Sequence, residues 1–353
     1  MNEQPASPGS PSSPSGRSLI ETIKRRFIYG IILGVLVVIG VAFLGDSPKL
    51  LNTLGTFKWA LLPAILALTA GNYLLRFLKW QLYLRWLDID HGLPILSSLG
   101  IFLSGLSMGI TPGKVGEFLK AYLLRRANDT PVSVSAPIIV ADRVTDGLAM
   151  MALAAVGLVA VSYGWQALVA LAVLAVIVLS LIRRRSLMFR LFARFERVPR
   201  LGRRMQAIHT LYESIYLLLC PKNLLAATGI GFVSWGCECI AFFLVLLGLG
   251  FTATPHLFVT AVFILAAATL IGTLSMLPGG LGAAEASVAG LLLLLVKSPL
   301  MNHDLAAAAT LLIRFCTLWF GVLLGLLALF LIERRLSASE KRRLALDRAE
   351  LVS

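Results

Sequence analysis

Arg314 stands near the middle of residues 305–331, a run that carries no other charge. An ionised group at that depth in a bilayer costs about 2.5 kcal/mol or more even on the mildest insertion scale, so such groups are kept for pairing or for function. Arg76, Asp142, Arg143, Asp146, Glu238 and Glu285 repeat the situation, each inside or at the edge of an apolar stretch. Cations and carboxylates in such a setting can neutralise one another as ion pairs, accept a charged headgroup, or exchange protons. Asn72 and Arg76 share a helix face at i, i+4, as do Asp142 and Asp146. Lys79 and Arg85 fall nearer the end of their span and read as snorkelling cations. At this stage structural ion pairs and a polar cavity both remain open.

Two broken apolar segments carry the next signal. Residues 93–124 are interrupted by Thr111-Pro112-Gly113, and residues 257–296 by Leu277-Pro278-Gly279-Gly280. Proline followed by glycine ends a helix, and the pieces after the breaks are short for a crossing. Each segment is therefore expected to be a re-entrant helical hairpin. The breaks match in spacing: Pro112-Gly113-x-x-Gly116-Glu117 beside Pro278-Gly279-x-x-Gly282-x-x-Glu285. Each is preceded by a span with a polar group (Asn72 and Arg76; Glu238) and followed by one with an arginine (Arg143; Arg314). The ordered set occurs twice, the mark of an internal repeat. Backbone groups freed at such a break face whatever occupies it, and the returning helix presents a positive N-terminus. Lys114 makes the first break the better phosphate site. The alternative is that the kinks only let helices pack closely.

The elements that must position these residues are transmembrane helices. Hydrophobic residues make up 58% of the 353 and charged ones 14%, with a mean hydropathy of +0.85. Soluble domains carry about 25% charged residues. The chain is thus expected to be an all-α polytopic integral membrane protein. Six full spans are read at 27–44, 59–82, 136–161, 165–182, 223–249 and 305–331, plus the two hairpins. The formal net charge of +14 could suggest nucleic acid, but the positives gather in loops beside apolar spans. Residues 183–222 hold ten Lys/Arg against two acids, and the tail from Glu333 holds six against four. With Lys24-Arg25-Arg26, these should be cytoplasmic, as should both termini. Six crossings with two non-crossing hairpins satisfy all three placements. The hairpins then enter from opposite faces and the halves form an inverted repeat. Residues 1–23 read as a disordered Ser/Pro-rich tail, 24–332 as the membrane domain and 333–353 as a basic tail. Within the loop, Leu187–Arg197 suits an interfacial amphipathic helix or a solvated basic linker equally.

The elements Asn72-x-x-x-Arg76-x-x-Lys79-Trp80, Pro112-Gly113-Lys114-x-Gly116-Glu117, Asp142-Arg143-x-x-Asp146-Gly147, Leu277-Pro278-Gly279-Gly280-Leu281-Gly282-x-x-Glu285 and Ile313-Arg314 occur in that order. Together they resemble the flippase-like transmembrane region of lysylphosphatidylglycerol synthases and its stand-alone relatives. The resemblance spans roughly residues 27–332. It implies an inner-membrane protein with broken helices whose cavities handle lipid headgroups. Lys114 replaces a common arginine, keeping the charge without its bidentate geometry. Asp142 replaces a common glutamate. Few residues follow the last span, so the soluble aminoacyl-transfer domain of full-length synthases is not expected here.

The function expected is translocation of a lipid with a polar or anionic headgroup: a phospholipid, a hopanoid or a polyprenyl-linked lipid. Lys114 and Arg314 would contact the anion, while Glu117, Asp142, Glu238 and Glu285 set polarity or accept protons. Two alternatives remain: a non-catalytic partner of a lipid-synthesis enzyme, and a membrane-embedded transferase. No catalytic residue, metal or cofactor is assigned. No G-x-x-x-x-G-K-[ST] loop is present, so direct drive by ATP is not expected. His91, His209, His256 and His303 are scattered, and Cys237-x-Cys239 faces opposite ways on a helix, so no metal site is expected. The sequence leaves room for a homo-oligomer.

Overall fold

The computed structural model describes residues 47–110, 117–158 and 205–334, with isolated helical positions between 166 and 180. The tail at 1–23, the first span, the break at 111–116, most of the span at 165–182, the stretch at 187–197 and the residues from 335 onward lie outside these. Every regular element among the described residues is helical. In chain order they are α1 (Ser47–Gly55), a 3-10 turn (Trp59–Leu61) leading into α2 (Leu62–Trp86), α3 (Ile95–Ser107) with its 3-10 end (Met108–Ile110), α4 (Leu119–Asn128), α5 (Val132–Leu158), α6 (Met205–Leu218), α7 (Pro221–Gly248), α8 (Pro255–Leu274), α9 (Ala283–Leu295) and α10 (His303–Arg334).

The helix starts follow from local chemistry. Proline in the first turn of α2, α7 and α8 occupies a position whose N–H would be unpaired in any case. Thr254 caps α8 by accepting the Leu257 N–H at 3.1 Å, and Asn302 caps α10 by accepting that of Leu305 at 2.8 Å. Trp59–Trp86, α7, α8 and α10 are each long and apolar enough to cross a membrane. The second broken segment has unequal arms. Its first arm, α8, has 20 residues and is by itself long enough to cross. Its second arm, α9, has 13. The break between them winds through four left-handed residues, Met276, Gly279, Gly280 and Gly282. Gly280 is required twice over, since a Cβ there would also press on the Gly272 backbone.

Two large apolar clusters make up most of the interior, with a small third one at Leu50, Ala307 and Ala308. One apolar cluster gathers Phe57, Ile65, Met150, Phe242, Leu257 and Val296 with their neighbours; the other gathers Trp80, Leu84, Ile101, Leu123, Leu218 and Ile332. The α3–α4 hairpin contributes only to the second cluster and the α8–α9 hairpin only to the first. On α2, α5 and α7 buried polar residues fall between the two clusters: Asn72 and Lys79, Asp142, Thr145 and Asp146, and Ser234 and Glu238. A polar belt at one level thus separates two apolar halves.

Close helix approach depends on Gly321-x-x-x-Gly325 in α10. A Cβ on Gly321 would strike the Tyr73 hydroxyl, and one on Gly325 the backbone of Leu103 and Ser107. Gly325→Ala should therefore destabilise by about 1–3 kcal/mol, the cost of overpacking a tight contact. Gly290→Ala, where a Cβ meets open space, should not. Thermal melting of the two variants in detergent distinguishes these outcomes.

Candidate functional site

The belt is built around Lys79. Its side chain is fully buried, with Nζ 2.8 Å from Asp142 Oδ1 and in closer contact with Asp146 Oδ1. Arg76 Nη2 reaches the same two carboxylates on their other oxygens, at 3.8 Å from Asp142 Oδ2 and 3.5 Å from Asp146 Oδ2. The i, i+4 pairing of the aspartates on α5 places both toward α2, where they face Arg76 and Lys79, themselves three residues apart. The snorkelling reading of Lys79 is thus overturned. A lysine can snorkel only where its stem reaches solvent, and Lys79 faces α5 from the middle of the bundle. Arg85 does lie at the surface, 3.7 Å from Asp90.

Each broken segment sends a carboxylate to the arginine of the span that follows. Arg143 Nη2 donates to Glu117 Oε2 at 3.0 Å and stands 3.4 Å from Asp142 Oδ2. Arg314 Nε lies 2.7 Å from Glu285 Oε1. That second contact is an ion pair without an aligned hydrogen bond, and Nη2 of Arg314 has no acceptor among the described residues. Glu285 also acts on the backbone, where its Oε2 accepts the Gly282 N–H at 2.6 Å and closes the start of α9. The N-terminus of α9, expected to face an occupant of the break, is capped by its own third residue. The Glu285 spacing from Gly282 is a capping signature readable in the sequence.

Between the two clusters lies a cavity of about 150 Å³. Its charged lining comprises Arg76, Glu117, Lys120, Arg143, Glu238 and Arg314. Gly105 and Gly109 of the first hairpin and Gly272, Gly279 and Gly280 of the second also border it, and the turns Met108–Ile110 and Pro278–Gly280 touch there. A space of this size accommodates several waters, each taking about 30 Å³ in the liquid, or part of a polar headgroup. Trp235 and Tyr73 add aromatic walls, with the Arg76 guanidinium 5.3 Å from the Trp235 ring centre. Tyr73 is fixed by donating its hydroxyl to the Thr317 carbonyl at 2.6 Å. That carbonyl belongs to a π-helical turn, Phe315–Trp319, which follows Arg314 directly.

The expected site residues therefore separate by place. Arg76, Glu117, Arg143, Glu238, Gly279 and Arg314 border the cavity. Asp142, Asp146 and Glu285 stand behind it as counter-ions, and Gly282 caps α9. Asn72 lies in a helix clamp instead: its Nδ2 donates to the Ser234 carbonyl, while the Ser234 hydroxyl donates to the Asn72 carbonyl, both at 3.1 Å. Pro278 opens the 3-10 turn of the second break. Pro112, Gly113, Lys114 and Gly116 lie outside the described residues. Lys120 is a cavity residue that sequence reasoning does not single out. It is buried one turn beyond Glu117 on the returning helix, its ammonium 5.5 Å from the Trp80 ring centre and 5.6 Å from that of Phe102. The i, i+3 spacing from Glu117 is its only signal. Asp88-x-Asp90-His91 also qualifies the expected lack of metal ligands, since the three side chains converge at the surface. His91 Nε2 is already 2.7 Å from Asp88 Oδ1.

Removing Lys79 leaves two adjacent buried carboxylates to the more distant Arg76 and, for Asp142, Arg143, and breaking such a group costs about 3–5 kcal/mol. Lys79→Met should therefore sharply lower thermal stability in detergent. The double variant Lys79→Met/Asp142→Asn should recover part of the loss, a coupling read from the double-mutant cycle. Equal melting of Lys79→Met and wild type would refute the arrangement.

Two similarities to known proteins give the family of the chain. A "UPF0104 membrane protein" of Methanothermobacter thermautotrophicus is 27% identical over 278 residues, covering 71% of this chain and 79% of the relative. The model of the lysylphosphatidylglycerol synthase TM region matches residues 31–325, which include both broken segments and the charged belt. The chain is a multi-pass membrane protein of the lysylphosphatidylglycerol synthase transmembrane family.

Proposed function

We propose that this protein is a lipid translocase of the inner membrane, moving a lipid with a polar or anionic headgroup through the cavity while its acyl chains remain in the bilayer. The carrying observation is the position of that cavity. It lies between the second break and the residues on either side of the first, level with a belt of charges and flanked on each side by an apolar half-core. Midplane sites between repeats are the common plan of alternating-access carriers.

Two further observations support an inverted repeat. The glutamate of each break pairs with the arginine of the next span, Glu117 with Arg143 and Glu285 with Arg314. The hairpins also belong to opposite halves of the core. Gly100 at the start of α3 faces Ile332, and Ser107 at its end faces Gly325, so α3 enters from the end at which α10 finishes. In the positive-inside arrangement that end is cytoplasmic, with both termini, and the α8–α9 hairpin enters from outside. Six crossings and two hairpins complete the topology. Phospholipids, hopanoids and polyprenyl-linked lipids all fit a headgroup path of this kind.

Reconstitution into vesicles with a headgroup-labelled phospholipid tests the reading. The wild type should equilibrate label between leaflets. Arg314→Ala and Glu117→Ala should slow this about tenfold or more, the effect of losing about 1.4 kcal/mol at a path-lining charge. If both folded variants keep the wild-type rate, the path runs elsewhere.

A further inference from the structure

Glu238 stands apart from every other buried carboxylate in the belt. Glu117, Asp142, Asp146 and Glu285 each have a cation within ion-pair distance. Glu238 is buried, borders the cavity, and has neither ion pair nor hydrogen bond among the described residues. The charges around it come from three helices: Arg76 on α2, Arg314 on α10 and Asp146 on α5, with the Tyr73 phenol also facing it from α2. Its own helix adds Cys237 and Cys239. The polar side chains of α8 that reach the cavity are Thr269 and Thr273, and the one ionisable group of that helix, His256, lies in its first turn. His209 and Glu213 belong to α6, which leads into the first turns of α7. Across the cavity stand Glu117, Lys120 and Arg143.

Apart from the Glu238 carboxylate, the unpaired groups of this lining are donors. Arg76 Nε, Arg143 Nε, Trp235 Nε1 and Arg314 Nη2 are all buried without an acceptor among the described residues. Native interiors leave few such groups, so a cluster of them in one cavity calls for an acceptor-rich occupant. Water can serve single donors. An oxyanion serves several at once and balances the guanidinium charges as well. The obstacle is Glu238: ionised, it repels a second anion held in the same small space. Protonated, it loses that charge and becomes one more donor toward the occupant.

We propose that a phosphate-type oxyanion occupies this cavity together with a proton taken up by Glu238. The proton comes from water and resides on the Glu238 carboxyl while the anion is bound; no other bond changes. The inference rests on the cavity being the headgroup path, and it adds how occupancy of that path is linked to pH.

Calorimetry on the purified full chain in detergent tests it. The probe is dihexanoyl phosphatidylglycerol, a monoanion throughout the range used, with dihexanoyl phosphatidylcholine as the zwitterionic control. Wild-type affinity for the anionic probe should fall as pH rises between about pH 5 and 8, by up to about tenfold per pH unit for a single linked proton. Buffers of different ionisation enthalpy should report uptake of up to one proton per bound probe. Glu238→Gln should bind about tenfold more tightly at the upper pH, a gain that misfolding cannot produce, and its affinity should not change with pH. The zwitterionic control should show no such linkage. Inorganic sulfate showing the same linkage would support the proposal and extend the site to free oxyanions. Sulfate failing to bind while the lipid probe behaves as expected would support it for lipid-borne phosphate alone. A pH slope that persists in Glu238→Gln, weaker binding by that folded variant, or no anion binding overturns the proposal. Because the assay needs no transport, linked binding without lipid movement in vesicles would fault the translocase reading alone. Lipid movement without linked binding would fault this inference alone.

Discussion

A charge inside an apolar bundle must meet a partner or remain costly, and that requirement organises this protein. Asp142 and Asp146 on α5 face Arg76 and Lys79 on α2, so the two helices are joined by a network rather than by apolar contact at this level. Thr145 reinforces the seam by meeting the Tyr83 hydroxyl at 2.8 Å. On either side, packing reverts to aliphatic and aromatic contact. The cavity exists because the belt cannot close completely: three arginines splay toward it with donors unfilled. Compensation of buried charge thus accounts for both the rigid seam and the opening beside it.

The two broken segments solve one structural problem by different chemistry. In the second, left-handed glycines turn the chain and Glu285 both caps the new helix and meets Arg314. In the first, Glu117 meets Arg143, and Lys120 one turn later sits against two aromatic rings. Equivalent carboxylate–arginine pairs are therefore carried by unequal surroundings. The first hairpin adds a cation to the cavity wall; the second adds glycine backbone.

Much of this is readable from residue types. Apolar runs and proline–glycine breaks locate the helices, since lipid requires a helix to satisfy its own backbone. An arginine in an uncharged span announces itself by cost. Partnership is harder to read, because it depends on which helices become neighbours. Lys79 resembles a surface cation by its distance to the span end, and only its position against α5 makes it the centre of the belt. Asn72 has the character of a polar-path residue, yet it locks α2 to α7 through Ser234. Lys120 sits among aromatic residues contributed by α2 and α3, so its burial cannot be inferred from its own helix.

The charge pattern of α5 bears on how the protein is made. This helix is 27 residues long, yet it is missing from the four described helices that qualify as spans by length and apolarity. Asp142, Arg143 and Asp146 crowd its middle, and a segment so loaded partitions poorly into lipid by itself. Its neutralising partners lie on α2, which is synthesised earlier. The residence of α5 in lipid therefore depends on a helix made before it, and the two are stable in the bilayer only as a pair.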